Sequence, residues 1–578
     1  MKRLQLIIVL MGIGSALMAQ QFPYSYIEVN NVRGCILGNG CLMDAHQTTP
    51  YSSWEVPKDS GKSPLFQHAL WIGGLSTADN SLHLAGDHYG QNGQEFWSGP
   101  LRLSDASTDA TTVEKYSHVW NLTKEQIEDF IAHHAEPGYT IPEDILTWPA
   151  HGDAGFAENL APFVDVDANG VYQPEHGDYP KIEGDQCLFF IFNDSYQTHT
   201  EFAGEPLGLE VHAMVYAYDR PDNEYLNNTV FFNYKLFNRS ANTYTGTYVG
   251  LWNDWDIGYG YDDYVGCDVH RGASYGYNAD PEDDTYGTNH PAQVCKILAG
   301  PYMDPDGLDN PSYNGNCESL DNNRNAFNGT NFGNGVIDDE RMGMTGFIGQ
   351  YNSFGDVGDP STAEEVYNYL RSIWRNGVHH LKYGGDGFDG PWVVGPNCSF
   401  QYPGDSDPCN IGTFGEAPNA NPMGWYYNTP EHYWTETHEG NAPGDRRGLA
   451  SMGPFTFASG SMQEIDFAEV TVWGDGRASA MERIGEYIDY VAEYAGFPTT
   501  SVNELQDTPR ESLMLYPNPT QDHFTVEGTG HLVIMNVLGQ QVMSMNINGV
   551  ETVKLPQGMY FLRLEQENGV RTGRIVVE

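Results

Sequence analysis

The chain of 578 residues carries 78 acidic against 28 basic residues, a formal net charge of −50. A phosphate backbone requires a basic stripe, and none is present, so nucleic acid is excluded as a partner. The 65 Gly, 36 Tyr and 12 Trp argue against disorder, because the aromatics supply core, and the length allows about two to four domains.

Lys2 and Arg3 precede an apolar run from Leu4 to Leu17, and Ala19 offers a small residue for cleavage. The pattern predicts a signal peptide over residues 1–19, too short for a stable membrane span. No later window is long and apolar enough for a transmembrane helix, so the mature chain is expected to lack one. Eight cysteines in an exported chain point to disulfides. Cys35 with Cys41, and Cys398 with Cys409, are spaced to staple single loops. Cys187, Cys267, Cys295 and Cys317 would then pair in an order that the sequence leaves open. No C-x-x-C occurs, which removes zinc ribbons and thioredoxin-like sites.

Residues 20–184 read as a loop-rich N-terminal segment. It holds the apolar run Ala69-Leu70-Trp71-Ile72, closed by Gly73-Gly74, and one helix. Thr123 with Gln126 makes a capping box, and Ile127, Phe130 and Ile131 form a stripe that ends before Pro137. His133 and His134 belong on the solvent side of its last turn.

From Asp165 to Tyr179 the chain changes character. Asp165, Asp167 and Asn169 alternate, Gly170 permits a sharp turn, and Val171 offers a backbone carbonyl, as in the first half of an EF-hand loop. The second half departs from that pattern, because His176 stands where a bidentate Glu belongs. Asp178 is the candidate that would close a short, non-EF calcium loop; the alternative is an Asx-rich turn without metal.

Strands follow. Cys187 to Asn193 is an apolar run, Leu209 to Tyr218 alternates two faces, and Val230–Phe237 and Thr245–Trp252 flank the turn at 238–242. These predict an antiparallel meander. Matching strands return only at Pro454–Phe457 and Gln463–Trp473. The fold class expected is therefore mainly β. A β-sandwich body over 185–498 would hold a long loop-rich insertion, 254–450, and a few helices.

That insertion opens with Asp254, Asp256, Asp262 and Asp263, carboxylates that repel unless solvated or neutralised, and these join the candidate calcium ligands. Further acidic clusters stand at 304–309 and 334–340. Helices are predicted from Thr362 through Trp374 and from Met481 to Ala495, the latter stopped by Gly496. Gly272-Ala273-Ser274-Tyr275-Gly276 fits the G-x-S-x-G pattern, but no βαβ periodicity surrounds it, so it reads as chance. No H-E-x-x-H, P-loop or dinucleotide fingerprint occurs, and no catalytic residue is assigned.

After a polar linker at 499–512, residues 513–578 alternate short apolar runs with Gly, Asn and Pro, predicting a small Ig-like β-sandwich of about six or seven strands. The opening Tyr516-Pro517-Asn518-Pro519, the turn Asn536-Val537-Leu538-Gly539-Gln540 and the strand entry Gly558-Met559-Tyr560 resemble the type A C-terminal sorting domain of type IX secretion cargo of Bacteroidetes. The resemblance implies recognition by the outer-membrane machinery, removal of the tail and exchange for a lipopolysaccharide anchor, placing the protein outside the cell.

In the body, the segments 69–74, 145–152, 177–180 and 262–268 resemble a widespread group of large exported Bacteroidetes proteins, a likeness that transfers no catalytic residue. The expected function is a calcium-stabilised, non-catalytic adhesive or glycan-binding module. The alternative is a secreted hydrolase acting on glycan or peptide.

Overall fold

A computed structural model of the protein describes residues 23–38, 41–42, 54–89, 93–320, 323–353, 355–388, 395–416, 434–497, 515–516, 523–536, 541–566 and 569–577. The expected signal peptide, the linker at 499–512 and residues 517–519 and 537–540 of the tail motifs lie outside the described residues. The chain divides into two compact units, Met1–Thr500 and Ser501–Glu578. The fold is mainly β.

The first unit is built on two nine-stranded sheets. The first sheet runs Tyr24–Ile27, Arg33–Leu37, Cys41–Leu42, Gln67–Ser76, Tyr244–Trp255, Arg446–Phe457, Gly346–Tyr351, with Trp54–Glu55 and Leu82–Gly86 as side branches. The second runs Asp263–Asp268, Ala273–Asn278, Ala292–Ala299, Met462–Val472, Thr229–Asn238, Leu209–Ala217, Gln186–Asn193, Trp97–Ser98, with Trp120–Thr123 branching from Gln186–Asn193. All pairings within these two sheets are antiparallel.

The second sheet is buried on both faces, which explains the unbroken apolar run at 187–193. Leu188, Phe190 and Phe192 point into the core shared with the first sheet. Cys187, Phe189 and Ile191 point outward under a small helical lobe with Trp120, Ile127, Phe130, Ile145 and Trp148. Farther along the same outer face, helix Ala480–Tyr494 lays Ile484, Tyr487, Ile488 and Val491 against Phe231, Val470 and Tyr275. Ser479 caps that helix through a reciprocal box with Glu482.

Several expectations change. Thr245–Trp252 lies in a longer strand that leaves the meander and enters the first sheet, because the free edge of Thr229–Asn238 is taken by Met462–Val472. Among the described residues of 254–450, read as a loop-rich insertion, four whole strands form, besides the ends of Tyr244–Trp255 and Arg446–Phe457. Three extend the second sheet and one closes an edge of the first. Their periodicity was hidden by glycines that make room for rings: a Cβ on Gly276 would lie 2.6 Å from Trp255, and one on Gly266 would lie 2.7 Å from Tyr275.

The described residues of the N-terminal segment likewise supply strands of both sheets and the helices Ala110–Lys115, Lys124–His133 and Glu143–Leu146. Ile131, placed on the apolar stripe, is 45% exposed. Helix Ala363–Leu370 ends before Trp374, because Ser372 takes a positive φ.

The disulfide expectations are corrected. Cys409 bonds Cys317, closing a separation of 92 residues. Cys398 is a buried free thiol, so the Cys398–Cys409 staple does not form; the expected Cys35–Cys41 staple falls on the side chain of Cys41, which lies outside the described residues. Cys398 sits inside the main core while Cys409 meets the turn at Cys317–Leu320. Cys187, Cys267 and Cys295 are also free and buried; each is held by a strand whose pairing fixes where its side chain points.

In the second unit, Leu515–Tyr516, His523–Asn536, Gln541–Lys554, Gly558–Gln566 and Gly569–Val577 join in one antiparallel five-stranded sheet. Alternate residues Phe524, Val526, Leu532, Ile534, Leu562, Leu564 and Ile575 form its core. Among the described residues the sheet has five strands, and Gly528 and Gly549 pair within two unbroken 14-residue strands.

Candidate functional site

The loop at 165–178 folds on its own backbone. Asp165 accepts N–H groups from Asn169 (3.2 Å) and Gly170 (2.6 Å), and Asn169 Oδ1 accepts from Val171 N at 2.8 Å. Asp178, 1% exposed, receives Val166 N at 2.8 Å on one oxygen and Gln173 N at 2.9 Å on the other. These Asx turns draw Asp165, Asp167 and Asp178 together, with one carboxylate oxygen of each within 4.8 Å of the others. Hydrogen bonds, that from Gly170 first, hold the Asp165 carboxyl below its usual range. The resulting all-oxygen donor set is the chemistry that hard divalent cations take.

Of the second acidic group, the structure brings Asp254 and Asp256 together with Asp445. Sequence reasoning missed their counter-ion. Arg447 reaches Asp445 at 2.7 Å, Asp254 at 3.5 Å and Asp359 at 3.6 Å, and Tyr89 donates its hydroxyl to Asp254 at 2.5 Å. The arginine lies about two hundred residues from Asp254, so no local pattern could reveal that pairing.

Asp263 and Asp262 belong to a neighbouring group with Asp283. Asp263 accepts Ile257 N at 2.9 Å, and burial pushes its carboxyl well up, with Asp256, Asp262 and Asp283 adding repulsion. The clusters at 304–309 and 334–340 cap one another: Asp338 accepts Asp306 N and Gly307 N at 2.8 Å each, and Asp309 accepts Gly335 N at 2.8 Å.

A cleft of about 580 Å³ opens on the helical lobe. Its floor is formed by Tyr116, Trp120 and Trp148, and its rim by Glu114, His118, Glu143 and Leu146. The indoles are oriented by hydrogen bonds, Trp120 Nε1 to Thr147 O at 3.0 Å and Trp148 Nε1 to Pro162 O at 2.9 Å. His118 Nε2 stands 2.7 Å from Asp144, which also accepts Asn121 N at 2.8 Å.

The acidic loop braces this cleft. Tyr172 donates its hydroxyl to Ile145 O at 2.6 Å and its N–H to His151 Nε2 at 3.2 Å, and its ring abuts Phe163. The run at 145–152 was singled out in the sequence without a role; it forms one wall. Ser274 of the G-x-S-x-G match is fully buried in the strand Ala273–Asn278, with no elbow and no helix after it.

Burial, with the Asp445 charge behind it, raises Asp256 from 3.8 to about 6. A carboxyl raised in the folded state contributes stability that is fully present below about pH 4 and lost as pH rises through 6. Asp256→Asn is expected to raise the melting temperature at pH 7 in chelator, by up to about 3 kcal/mol in stability, with the gap to wild type closing by pH 4. A gap independent of pH would disprove this assignment.

No curated protein matches the chain. A solved polysaccharide lyase is similar at 6% identity and a TM-score of 0.18, over 72% of this chain and 38% of the lyase. The chain therefore spans well under half of that enzyme's length, and so low a score carries nothing about activity. Among the described residues no helix is long and apolar enough to cross a membrane. Residues 514–578 match the family described as the secretion system C-terminal sorting domain, and this tail makes the chain a cargo of the type IX secretion system, delivered to the outer surface or beyond it.

Proposed function

We propose that the body is a calcium-stabilised, non-catalytic glycan-binding module displayed outside the cell by its sorting domain. The observation that carries the reading is the aromatic-floored cleft whose wall is braced by the acidic loop. The ring edges of Tyr116, Trp120 and Trp148 give a sugar ring an apolar floor, while rim carboxylates and His118 take hydroxyl hydrogen bonds. The net charge of −50 favours a neutral glycan over an acidic one. Calcium held by Asp165, Asp167 and Asp178, with Asn169 and Val171 beside them, would fix Tyr172 and so the cleft. The same reading includes Asp254, Asp256, Asp262 and Asp263 as further cation contacts, and a lipopolysaccharide anchor replacing the tail. A secreted hydrolase is the second reading, favoured by the His118–Asp144 pair at the rim beside Glu114 and Glu143.

Binding to arrays of neutral polysaccharides, followed by calorimetry, tests the site. His118→Ala and Leu146→Ala, both at the accessible rim, should fold normally and weaken binding about tenfold, or about 1.4 kcal/mol. Release of reducing ends would favour the hydrolase, and unchanged affinity in both variants would remove the cleft as the site.

Calcium should raise the melting temperature over that in chelator, by about 2.7 kcal/mol at a hundredfold excess over its dissociation constant, and more than magnesium does. The Asp165→Ala, Asp167→Ala double variant should blunt that response and weaken glycan binding. Identical melting curves in calcium and chelator would leave the loop a plain acidic turn.

Deleting residues 513–578 should leave the body folded but held in the periplasm. Arrival of the truncated chain at the cell surface would refute the sorting role of the tail.

A further inference from the structure

Between the two sheets, four polar side chains meet with no solvent exposure: His68, Asn253, Cys295 and Glu469. Their placement follows from strand register. His68 and Asn253 are cross-strand partners in the first sheet, and Cys295 and Glu469 are cross-strand partners in the second. Cross-strand partners share a face, and both pairs face the interlayer, so each sheet contributes two donors to one point. His68 Nδ1 lies 2.9 Å from Asn253 Oδ1 and 3.2 Å from Glu469 Oε1. One ligand atom each from His68, Cys295 and Glu469 falls within 4.8 Å of the other two.

The surroundings hold these groups in place without completing them. The His68 ring stacks on Phe467 and Phe232, at 5.2 and 6.0 Å between centroids. Glu469 Oε2 accepts Gln293 Nε2 at 2.8 Å, and Gln293 in turn accepts Thr471 Oγ1 at 2.7 Å. The other carboxylate oxygen, Oε1, turns into the cluster beside His68 Nδ1, and the Cys295 thiol is within hydrogen-bonding reach of both Glu469 and Asn253. A carboxylate in a dry core is strongly unfavourable unless it is paired, and the groups that face Oε1 are an imidazole and a thiol, both metal-ligand types.

We infer that His68, Cys295 and Glu469, with Asn253 Oδ1 as fourth donor, form a structural site for a zinc-class divalent cation that pins the two sheets together. This goes beyond the calcium reading of the surface loops and is independent of it. Imidazole, thiolate and carboxylate around one point suit a borderline-soft ion rather than calcium. Bonds of about 2.0–2.3 Å put tetrahedral ligand atoms roughly 3–4 Å apart, close to the spacing seen. Gln293 is the outer partner that orients the ligating carboxylate. The charges balance: binding releases the Cys295 proton, and the thiolate and the Glu469 carboxylate together neutralise a dication. Without metal, burial keeps that thiol protonated.

The test uses the whole chain, folded in the presence of zinc or cobalt and then dialysed against a chelator that strips the exposed acidic loops. Elemental analysis should find about one retained zinc per chain. The cobalt form should show a thiolate-to-metal charge-transfer band in the near ultraviolet, a signature that carboxylate loops do not produce. Cys295→Ala should abolish the band and the retained metal. Glu469→Gln keeps size and hydrogen bonding if the first variant fails to fold, and should lower retention at least tenfold. Wild-type protein that retains no metal and shows no band, or retained metal indifferent to both substitutions, would overturn the site and leave a buried polar network.

Discussion

The sandwich depends on a single buried amide. Two of the connections between the sheets run from Thr229–Asn238 to Tyr244–Trp255 and from Arg446–Phe457 to Met462–Val472. They cross side by side, and Asn238 clasps them. Its Nδ2 donates to Asn242 O at 2.9 Å and to Phe457 O at 3.0 Å, while its own N–H reaches Ser461 O at 3.0 Å. Oδ1 closes the turn by accepting Ser240 N at 3.0 Å and Ser240 Oγ at 2.7 Å. A buried group that satisfies both crossings at once fixes how the two sheets are offset. Every site described here rests on that offset, because each draws residues from both halves of the chain or from the lobe mounted on the second sheet.

Such an excess of acid has to be accommodated, and the protein does this in distinct ways. Exposed carboxylates such as Asp167 and Asp338 turn inward on backbone N–H groups, which costs little because water still reaches them. Others gather around an arginine, as buried Asp254 and half-buried Asp359 and Asp445 do around Arg447. Glu210, fully buried, is held down to about 2: its burial is outweighed by hydrogen bonds and charge from His212 and Arg239. Glu469, fully buried, instead faces His68 and Cys295 across the interlayer.

The cleft shows how a binding surface arises from packing. Tyr116, Trp120 and Trp148 are first of all the cover of the second sheet's outer face, and only their edges line the opening. A rigid aromatic floor is thus a by-product of burying Cys187, Phe189 and Ile191. The acidic loop then reaches this floor through a single residue, Tyr172, so that order in the loop and shape of the cleft are linked by two hydrogen bonds.

What the sequence determined by itself was whatever depends on neighbours along the chain. The capping box at Thr123 and Gln126, the Asx turns around Asp165, Asp167 and Asn169, the alternation of Leu209–Ala217 and the spaced motifs of the sorting tail are all local, and each was legible. Tertiary structure decided the rest. The run 187–193 revealed burial but not that its two faces serve different cores. The strands at 263–278 went unread because Gly and Tyr replaced the usual alternation. Cys317 meets Cys409, Arg447 meets Asp254, and His68 meets Glu469 across 92 to some four hundred residues. Such partners come together only when the sheets close, and no periodicity in a linear chain records which strand will lie across from which.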